Sequence, residues 1–417
     1  MSTRFWSDFV MPRDSSRGMA FFICAAKGSG KTTLMARLLI FCDMARGLPV
    51  IIIDPLGTLA RDLIDQCLLL PKKHQHAAWR RLRYYQLSGQ SGFVPVFPLY
   101  HRHSDMQPVS QVAAGFPQTI ARLDPSLQNA SVMGQSALEK IAMNLGVILA
   151  ANSFQITEAN LVLANTEQFL PQHSPDPDVQ EAITYFTTIY RNLDAREKHM
   201  LTTSLHAKLN LFSWSPMKQI FGGSLPSIDW EEVVAKRLCV VLDFGGQSEQ
   251  SDGNALRFKL LWIYRSLLEY LISRGPGGAG RYNQCGDLPV ALYIDELTAL
   301  LGSGKQNELL EKDIDALLNQ YGRNMAIWTT IAIQELHMCS ENLQKTLLTV
   351  GNLLFGATTN PQTAEMLARR FDRIDYTWVK KTENVCDSSP TGDYIRDQRT
   401  IEYTNPEQWE IHSRKYM

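Results

Sequence analysis

One short stretch of this chain constrains its fold more than any other. An apolar run, Phe21–Cys24, leads into a glycine-rich turn and then into a helical stripe of apolar residues. The turn and the start of the helix are formed by Ala26, Lys27, Gly28, Ser29, Gly30, Lys31, Thr32 and Thr33. A strand, a glycine-rich turn and a helix in this order are typical of phosphate-binding loops. The pattern predicts a buried strand, a tight turn and a helix that begins near Lys31.

The residues of this turn have the chemistry that a nucleoside triphosphate and Mg²⁺ require. Backbone N–H groups of a glycine-rich turn point at phosphate oxygens, and the following helix adds the positive end of its dipole. Lys31 would reach the β- and γ-phosphates, and the Thr32 hydroxyl would bind Mg²⁺. Ala25 stands where the usual motif has its first glycine, which we interpret as a tolerated variant. The turn therefore predicts binding of ATP or GTP.

A second pattern places acidic residues at the end of another apolar strand. The apolar run over 288–294 ends in Asp295 and Glu296. In nucleotide hydrolases an aspartate at such a strand end holds Mg²⁺, and a glutamate can orient and polarise the attacking water. Two adjacent acids also occur at solvated loop starts and as helix caps. Because a phosphate loop lies upstream, we favour the hydrolytic interpretation.

Two further polar residues flank the apolar strand predicted over 325–331. Gln334 follows the strand, where its amide would hydrogen-bond the γ-phosphate or the attacking water; the alternative is a helix-start glutamine. Arg323 precedes the strand and is a candidate arginine finger for the nucleotide of a neighbouring subunit. Such a finger is worth on the order of 10³ to 10⁵ in rate. An ordinary surface arginine is the alternative.

Strands and helices alternate along much of the remaining chain. Short apolar runs end at Asp54 and at Asp243, and helical periodicity follows each of them. This alternation predicts an α/β fold with a mainly parallel sheet covered by helices on both faces. Helical periodicity without strands occupies the middle of the chain. We therefore predict a nucleotide-binding domain made of 1–105 and 226–417, interrupted by an all-helical domain over 106–225.

Composition narrows the class of protein. With 417 residues and 45% hydrophobic content, the chain can form one large domain or two ordinary ones. Its seven cysteines show no Cys-x-x-Cys spacing, which predicts neither a disulfide framework nor a zinc site. No apolar run reaches the roughly 18 residues that span a bilayer. We expect a cytoplasmic protein, located at the inner face of the cell membrane only through partners.

The net charge of −1 excludes a global basic field, so contact with DNA requires a local patch or a central channel. The run over 72–85 mixes cations with aromatic residues and is either a nucleic-acid contact or a solvated helix entering a strand.

The glycine-rich run over 275–280 is interpreted as a connector rather than a second nucleotide site. His101 and His103 are interpreted as loop residues, and the only metal predicted is Mg²⁺.

These motifs together resemble the FtsK/HerA superfamily of ring-forming DNA pumps, and within it most the TraG/TraD-type coupling ATPases of conjugation and type IV secretion. The resemblance covers roughly residues 18–375. It rests on the phosphate loop, Ile53-Asp54-Pro55, Phe97-Pro98-Leu99-Tyr100, Ile294-Asp295-Glu296, Gly322-Arg323 and Ile333-Gln334. The phosphate loop and the Asp-Glu pair are shared by many ATPases, whereas the order of the motifs and the helical insert are more specific.

The resemblance implies a RecA-like fold of the additional-strand type, in which one strand separates the phosphate-loop strand from the strand ending in Asp295. It assigns hydrolysis of ATP to Asp295 and Glu296, sensing of hydrolysis to Gln334 and activation in trans to Arg323. It further implies a homo-hexameric ring around DNA. Secretion or conjugation machinery, or a relaxase-like protein, would be the partners.

The sequence thus predicts a DNA-translocating ATPase, and other functions stay open. A HerA-like repair or defence helicase working with a nuclease, and a viral packaging motor, share the same motifs. A recruitment platform whose nucleotide site controls assembly, without DNA-dependent turnover, is the alternative from a different class. A relaxase, nuclease or capsid gene in the genomic neighbourhood would distinguish the first three.

Overall fold

The computed structural model describes residues 20–89, 94–102, 107–123, 132–245, 253–273, 289–301, 308–322, 325–358, 360–370, 382–388 and 394–400. Nine strands lie in these ranges, of which seven form one sheet and two form an antiparallel hairpin. The sheet strands are β1 Phe21–Cys24, β2 Val50–Asp54, β3 Leu82–Gln86, β4 Cys239–Asp243, β5 Val290–Ile294, β6 Ile327–Ile333 and β7 Asn352–Phe355. The hairpin strands are β8 Thr382–Ser388 and β9 Tyr394–Thr400.

The order of the strands in the sheet is β3-β4-β2-β5-β6-β1-β7, and every neighbouring pair is parallel. All carboxyl ends therefore lie along one edge of the sheet. In the register of the strands, Asp54 is opposite Asp243, and Ile53 is opposite Ile294. The acids at the carboxyl ends of β2, β4 and β5 are thereby brought side by side, at the edge where open α/β sheets bind their ligands.

The strands form because their side chains are apolar on both faces. Every residue of β2, β4 and β5 is buried, as expected for parallel strands covered by helices on both sides. Successive residues point to opposite faces, so Ile51 and Ile53 pack in one core cluster and Ile52 in the other. The edge strand β3 is different, because Arg83 and Tyr84 are exposed.

Helices pack against both faces of the sheet, in two hydrophobic clusters. The first group is α1 Lys31–Leu34, a π-helical turn Met35–Ile40, α2 Phe41–Ala45, α3 Thr58–Leu69 and α4 Lys72–Arg81. Between β3 and β4 lie α5 Val109–Ala113, α6 Gly115–Leu123, α7 Val132–Ala151, the 3-10 turn Ile156–Glu158, α8 Ala159–Ala164, α9 Thr166–Phe169, α10 Pro177–Thr184, the π-helical turn Tyr185–Tyr190, α11 Ala195–Leu209, the 3-10 turn Asn210–Phe212, α12 Met217–Phe221 and α13 Trp230–Ala235. After β4 come α14 Gly253–Ser273, α15 Leu297–Leu301, α16 Glu308–Ala316, the π-helical turn Leu317–Tyr321, the 3-10 turn Leu336–Met338, α17 Glu341–Thr349 and α18 Pro361–Arg370.

The helical segment between β3 and β4 shares its core with one face of the sheet. A single hydrophobic cluster runs from Ile53 of β2 to Ile148 of α7. At its centre four phenylalanine rings have centroids 5.0–6.3 Å apart, in mostly edge-to-face geometry. They are Phe116, Phe212, Phe221 and Phe258. The division of the chain into an inserted domain over 106–225 and a surrounding domain stays a prediction.

The predicted α/β fold with a parallel sheet and an additional strand is confirmed. β6 lies between β1 and β5, so one strand separates the phosphate-loop strand from the strand that precedes Asp295. The stretch over 72–85 forms a helix that enters a strand, which was one of its two interpretations. The glycine-rich run over 275–280 lies outside the described residues.

Within the described part of the chain, none of the helices by itself has the length and apolar composition needed to cross a membrane. One pair, Ala137–Ala151 with Ile156–Ala164, meets that test together but is bent by 116°.

Candidate nucleotide site at the carboxyl edge of the sheet

The turn between β1 and α1 has the backbone of a phosphate cradle. Gly28 and Gly30 adopt left-handed φ angles of 80° and 90°, which residues with a side chain rarely adopt. A Cβ atom at either glycine would meet no atom within 4 Å, so conformation and not crowding requires glycine there. Lys27, Gly28, Ser29 and Gly30 are exposed, and the turn is open to a ligand.

Ala25 fits its place because Gly356, the residue opposite it, has no side chain. Ala25 is buried and lies outside the left-handed region, so it does not need the freedom of glycine. A Cβ atom built on Gly356 would lie 2.6 Å from the Ala25 methyl group. The backbone of Ala26 also donates to the carbonyl of Ala357, at 2.7 Å. The loop after β7 therefore supports the phosphate loop from one side.

Lys31 lies at the start of α1 and turns back over the loop. Its Nζ donates to the carbonyl oxygen of Ala25 at 2.5 Å and to that of Ala26 at 3.4 Å. The ammonium group is thus held at the mouth of the cradle, where it also lowers the pKa of Asp295. This position suits a lysine that contacts the phosphates of a nucleotide.

Asp295 connects the tip of β5 to the phosphate loop. Thr32 and Asp295 are distant in sequence, but the Thr32 side chain lies beside the carboxylate and lowers its pKa by hydrogen bonding. Asp295 is only 4% exposed. Burial, followed by the charges of Asp54 and Glu296, raises its pKa to about 7, against the opposing effects of Lys31 and Thr32.

Glu296 follows with an unusual backbone. Its φ of 58° lies in the left-handed region, which costs a residue with a long side chain about 1 kcal/mol or more. The side chain is buried, at 7% exposure, and its Oε1 accepts a hydrogen bond from the Thr298 hydroxyl. Thr298 is not among the residues predicted from the sequence; a hydroxyl two residues after an acid at a strand end is its only local signal.

Asp54 lies beside the site and stabilises the start of α3. Its Oδ1 accepts from the backbone N–H groups of Leu56 at 3.2 Å and Gly57 at 2.8 Å, and its Oδ2 accepts from that of Ala60 at 2.7 Å. These bonds fix the first turn of α3. Burial is the main cause that raises the pKa of Asp54 to about 6.

Of the remaining predicted residues, the structure describes Gln334 and Thr33 but not Arg323. Gln334 directly follows β6 and is half-buried, and its carbonyl accepts from the Cys24 thiol at 3.9 Å. Because β6 lies between β1 and β5, Gln334 stands in strand order between the phosphate loop and Glu296. Thr33 donates to Asp62 at 3.4 Å. Arg323 lies outside the described residues.

Glu335, the residue after Gln334, makes a polar contact that the sequence did not predict. Glu335 accepts a hydrogen bond from the Thr358 hydroxyl at 3.1 Å. Thr358 belongs to the loop that supports Ala26, so the end of β6 and the support of the phosphate loop are joined. These residues are far apart in sequence, and only the sheet order brings them together.

A solved structure with a similar fold is that of VirB4. VirB4 of Thermoanaerobacter pseudethanolicus aligns over 85% of this chain and 81% of its own, with a TM-score of 0.51 and 14% identity. The bacterial conjugative coupling protein TrwBdeltaN70, in complex with sulphate, aligns over 82% of this chain and 70% of its own, with a TM-score of 0.48 and 13% identity. No protein-family model matches the chain, and no curated protein matches it significantly by sequence. At this identity the likeness to VirB4 establishes a shared fold.

Proposed function

We propose that this protein hydrolyses ATP at the carboxyl edge of its sheet and uses that reaction to move DNA or nucleoprotein through a ring of subunits in type IV secretion or conjugation. The observation that carries the proposal is that Lys31 and Thr32, at the phosphate loop, lie close enough to Asp295, at the tip of β5, for both to lower its pKa. The phosphate loop thus lies beside an acidic strand tip, and the buried carboxylate of Glu296 comes next along the chain. This is the set of groups that phosphoryl transfer to water requires.

ATP fits the open turn as substrate. Backbone N–H groups at Gly28 to Gly30 would face the phosphates, and Lys31 would exchange its bonds to the carbonyls of Ala25 and Ala26 for bonds to phosphate oxygens. Thr32 and Asp295 would hold Mg²⁺, because both offer the oxygen ligands that this ion prefers. When bound, Mg²⁺ would neutralise charge on the β- and γ-phosphates.

Glu296 would act on the attacking water. One carboxylate oxygen accepts a hydrogen bond from the Thr298 hydroxyl. The other would accept a proton from the water while the water oxygen forms a covalent bond to the γ-phosphorus. The bond from the γ-phosphorus to the bridging oxygen breaks, and ADP and phosphate leave. Gln334 would hydrogen-bond the γ-phosphate or the water, and Arg323 of a neighbouring subunit would stabilise the charge that develops.

The motor part of the proposal has separate support. The motif order resembles the FtsK/HerA superfamily, and the fold is that of VirB4. A hexameric ring, DNA as the moved polymer and secretion machinery as partner all follow from that resemblance. The hydrolytic site and the motor are therefore tested by different measurements.

Nucleotide binding and turnover by site variants test the hydrolytic site. We expect the full chain to bind ATP with Mg²⁺ and to turn it over, Lys31→Ala to lose binding, and Glu296→Gln to bind ATP without turnover. Glu341→Gln, at an exposed glutamate of α17, is the matched control and should behave as wild type. Wild-type turnover by Glu296→Gln would contradict the assigned role. Turnover restored by mixing Glu296→Gln with Arg323→Ala subunits would support action in trans.

A further inference from the structure

Helix α4 presents cations to solvent along most of its length. Of its ten residues only Ala78 is buried. Lys72, Lys73, His74, His76 and Arg80 are exposed, and Trp79 is 39% exposed. Arg83 and Tyr84 continue this exposed surface onto the edge strand β3. We call these eight side chains the α4 surface.

Three of the cations of α4 are not used by the fold. Within the described residues, the side chains of Lys72, Lys73 and Arg80 make no hydrogen bond or ion pair. Arg81 shows the contrast, because its guanidinium donates to the carbonyls of Met44, Leu48 and Arg237 and is a structural group. Removal of the free cations should therefore leave the fold intact.

The charge of the α4 surface is also not balanced locally. No acidic residue occurs over 72–86. The buried carboxylate of Asp243 accepts a hydrogen bond from the Tyr84 hydroxyl, which leaves the tyrosine ring on the surface. On the preceding helix, Asp62 accepts from Thr33, and Asp65 is exposed. A protein with a net charge of −1 thus concentrates unpaired positive charge on one helix. Protection of the sheet edge accounts for Arg83 on β3, but it does not account for cations on a helix.

The chemistry of the surface favours nucleic acid over lipid. A helix that lies on a membrane carries a continuous apolar face. In α4 the apolar residues are Ala77, Ala78 and Trp79, and Ala78 is already buried in the core. Cations interleaved with exposed aromatic rings are instead the composition of single-strand binding surfaces, in which cations contact phosphates and rings stack on bases.

We propose that the α4 surface is a contact site for single-stranded nucleic acid, in which Lys72, Lys73 and Arg80 bind backbone phosphates and Trp79 and Tyr84 stack on bases. This inference deepens the proposed motor function and rests on it, because it names the part of the chain that contacts the moved polymer. It places that contact on the outer edge of the sheet, beside β3.

The salt dependence of oligonucleotide binding tests the proposal. The test variant is Lys72→Ala/Lys73→Ala/Arg80→Ala in the full chain. The matched control is Arg196→Ala/Lys218→Ala/Lys345→Ala, which removes the same charge from exposed sites elsewhere. Affinity for a labelled single-stranded oligo(dT) is measured by fluorescence anisotropy over a series of salt concentrations, with ATPase activity without DNA as the check that both variants fold.

Each lost phosphate contact on a single strand reduces the slope of log K against log salt by about 0.7, so three lost contacts reduce it by about 2. We expect that change, together with an affinity loss of tenfold or more, in the test variant only. Trp79→Ala should weaken binding without changing the slope, because stacking releases no counterions.

Unchanged affinity and slope in the test variant, with DNA binding intact, would overturn the α4 assignment and leave the proposed function standing. Equal losses in the control variant would also overturn it, since net charge alone would then explain the effect. Absence of nucleic-acid binding by the wild type would contradict the DNA part of the proposed function itself. Binding to anionic vesicles but not to oligo(dT), lost in the test variant, would overturn the inference in favour of lipid.

Discussion

Glu296 combines a left-handed backbone with a buried carboxylate at the tip of β5. Strained conformations of this kind persist where the surrounding structure fixes them, and they cluster at active sites. Here the Thr298 hydroxyl holds one carboxylate oxygen. The direction of the catalytic group would thus be set by a neighbour only two residues away.

Thr298 is therefore expected to act as a positioning residue. We predict that Thr298→Val lowers kcat about tenfold at nearly unchanged KM for ATP, because one hydrogen bond to a carboxylate is worth about 1.5 kcal/mol. Steady-state kinetics at saturating DNA is the measurement. Thr298→Ser keeps the hydroxyl and should restore kcat; equal loss in both variants would point to packing.

Asp295 gives the nucleotide-free protein a defined response to pH. A carboxyl group with a raised folded-state pKa binds protons more readily in the folded than in the unfolded chain, so stability falls as pH rises from about 4 to about 7. We predict that Asp295→Asn raises the free energy of unfolding at pH 8 by up to about 4 kcal/mol, with a smaller gain at pH 5. Urea titration at both pH values measures this.

Asp65→Asn, at an exposed aspartate of α3, is the matched control and should change stability little at either pH. In the wild type, the affinity for Mg²⁺ with ATP should rise with pH through about 7, because the ion binds the ionised carboxylate. A gain in Asp295→Asn that is equal at pH 5 and pH 8 would contradict the assigned pKa.

At the scale of elements, the phosphate loop depends on the loop after β7. Gly356→Ala would place a methyl group 2.6 Å from the Ala25 methyl group, so the support of the phosphate loop must shift. We predict that Gly356→Ala weakens ATP binding and that adding Ala25→Gly restores it. Binding of a fluorescent ATP analogue to the four members of this double-mutant cycle measures the coupling. Additive effects would show that the two positions are independent.

Arg81 joins α4 to the chain segments that precede β2 and β4, at the amino edge of the sheet. Its guanidinium donates to the carbonyls of Leu48 at 2.5 Å, of Arg237 at 2.6 Å and of Met44. We predict that Arg81→Ala lowers the free energy of unfolding by about 2–4 kcal/mol, because three carbonyls lose a charged donor. Arg80→Ala is the control, since the neighbouring side chain is exposed and makes no such bonds. Thermal denaturation compares the two, and equal Tm values would contradict this role.

The elements also show what sequence could and could not predict. β2, β4 and β5 were predictable because parallel strands buried on both faces are apolar throughout. The edge strand β3 carries exposed polar and aromatic residues, so its pattern is weaker. The contact of Ala25 with Gly356 and the link of Glu335 to Thr358 depend on sheet order, which local patterns do not determine.

At the scale of the whole molecule, the sheet order brings the chemistry together. β6 separates β1 from β5 and places Gln334 between the phosphate loop and the acidic tip of β5. The helical segment between β3 and β4 shares a hydrophobic cluster with the sheet. In the proposed motor, these packed side chains would couple the nucleotide site to that segment.

The most direct test of the central claim is steady-state hydrolysis of ATP by the full chain, with Mg²⁺, in the absence and presence of single- and double-stranded DNA. We predict turnover that DNA stimulates and that Glu296→Gln and Arg323→Ala both abolish while ATP binding is kept. ATP binding with turnover that does not respond to DNA in the wild type would contradict the motor and favour a nucleotide-controlled recruitment platform.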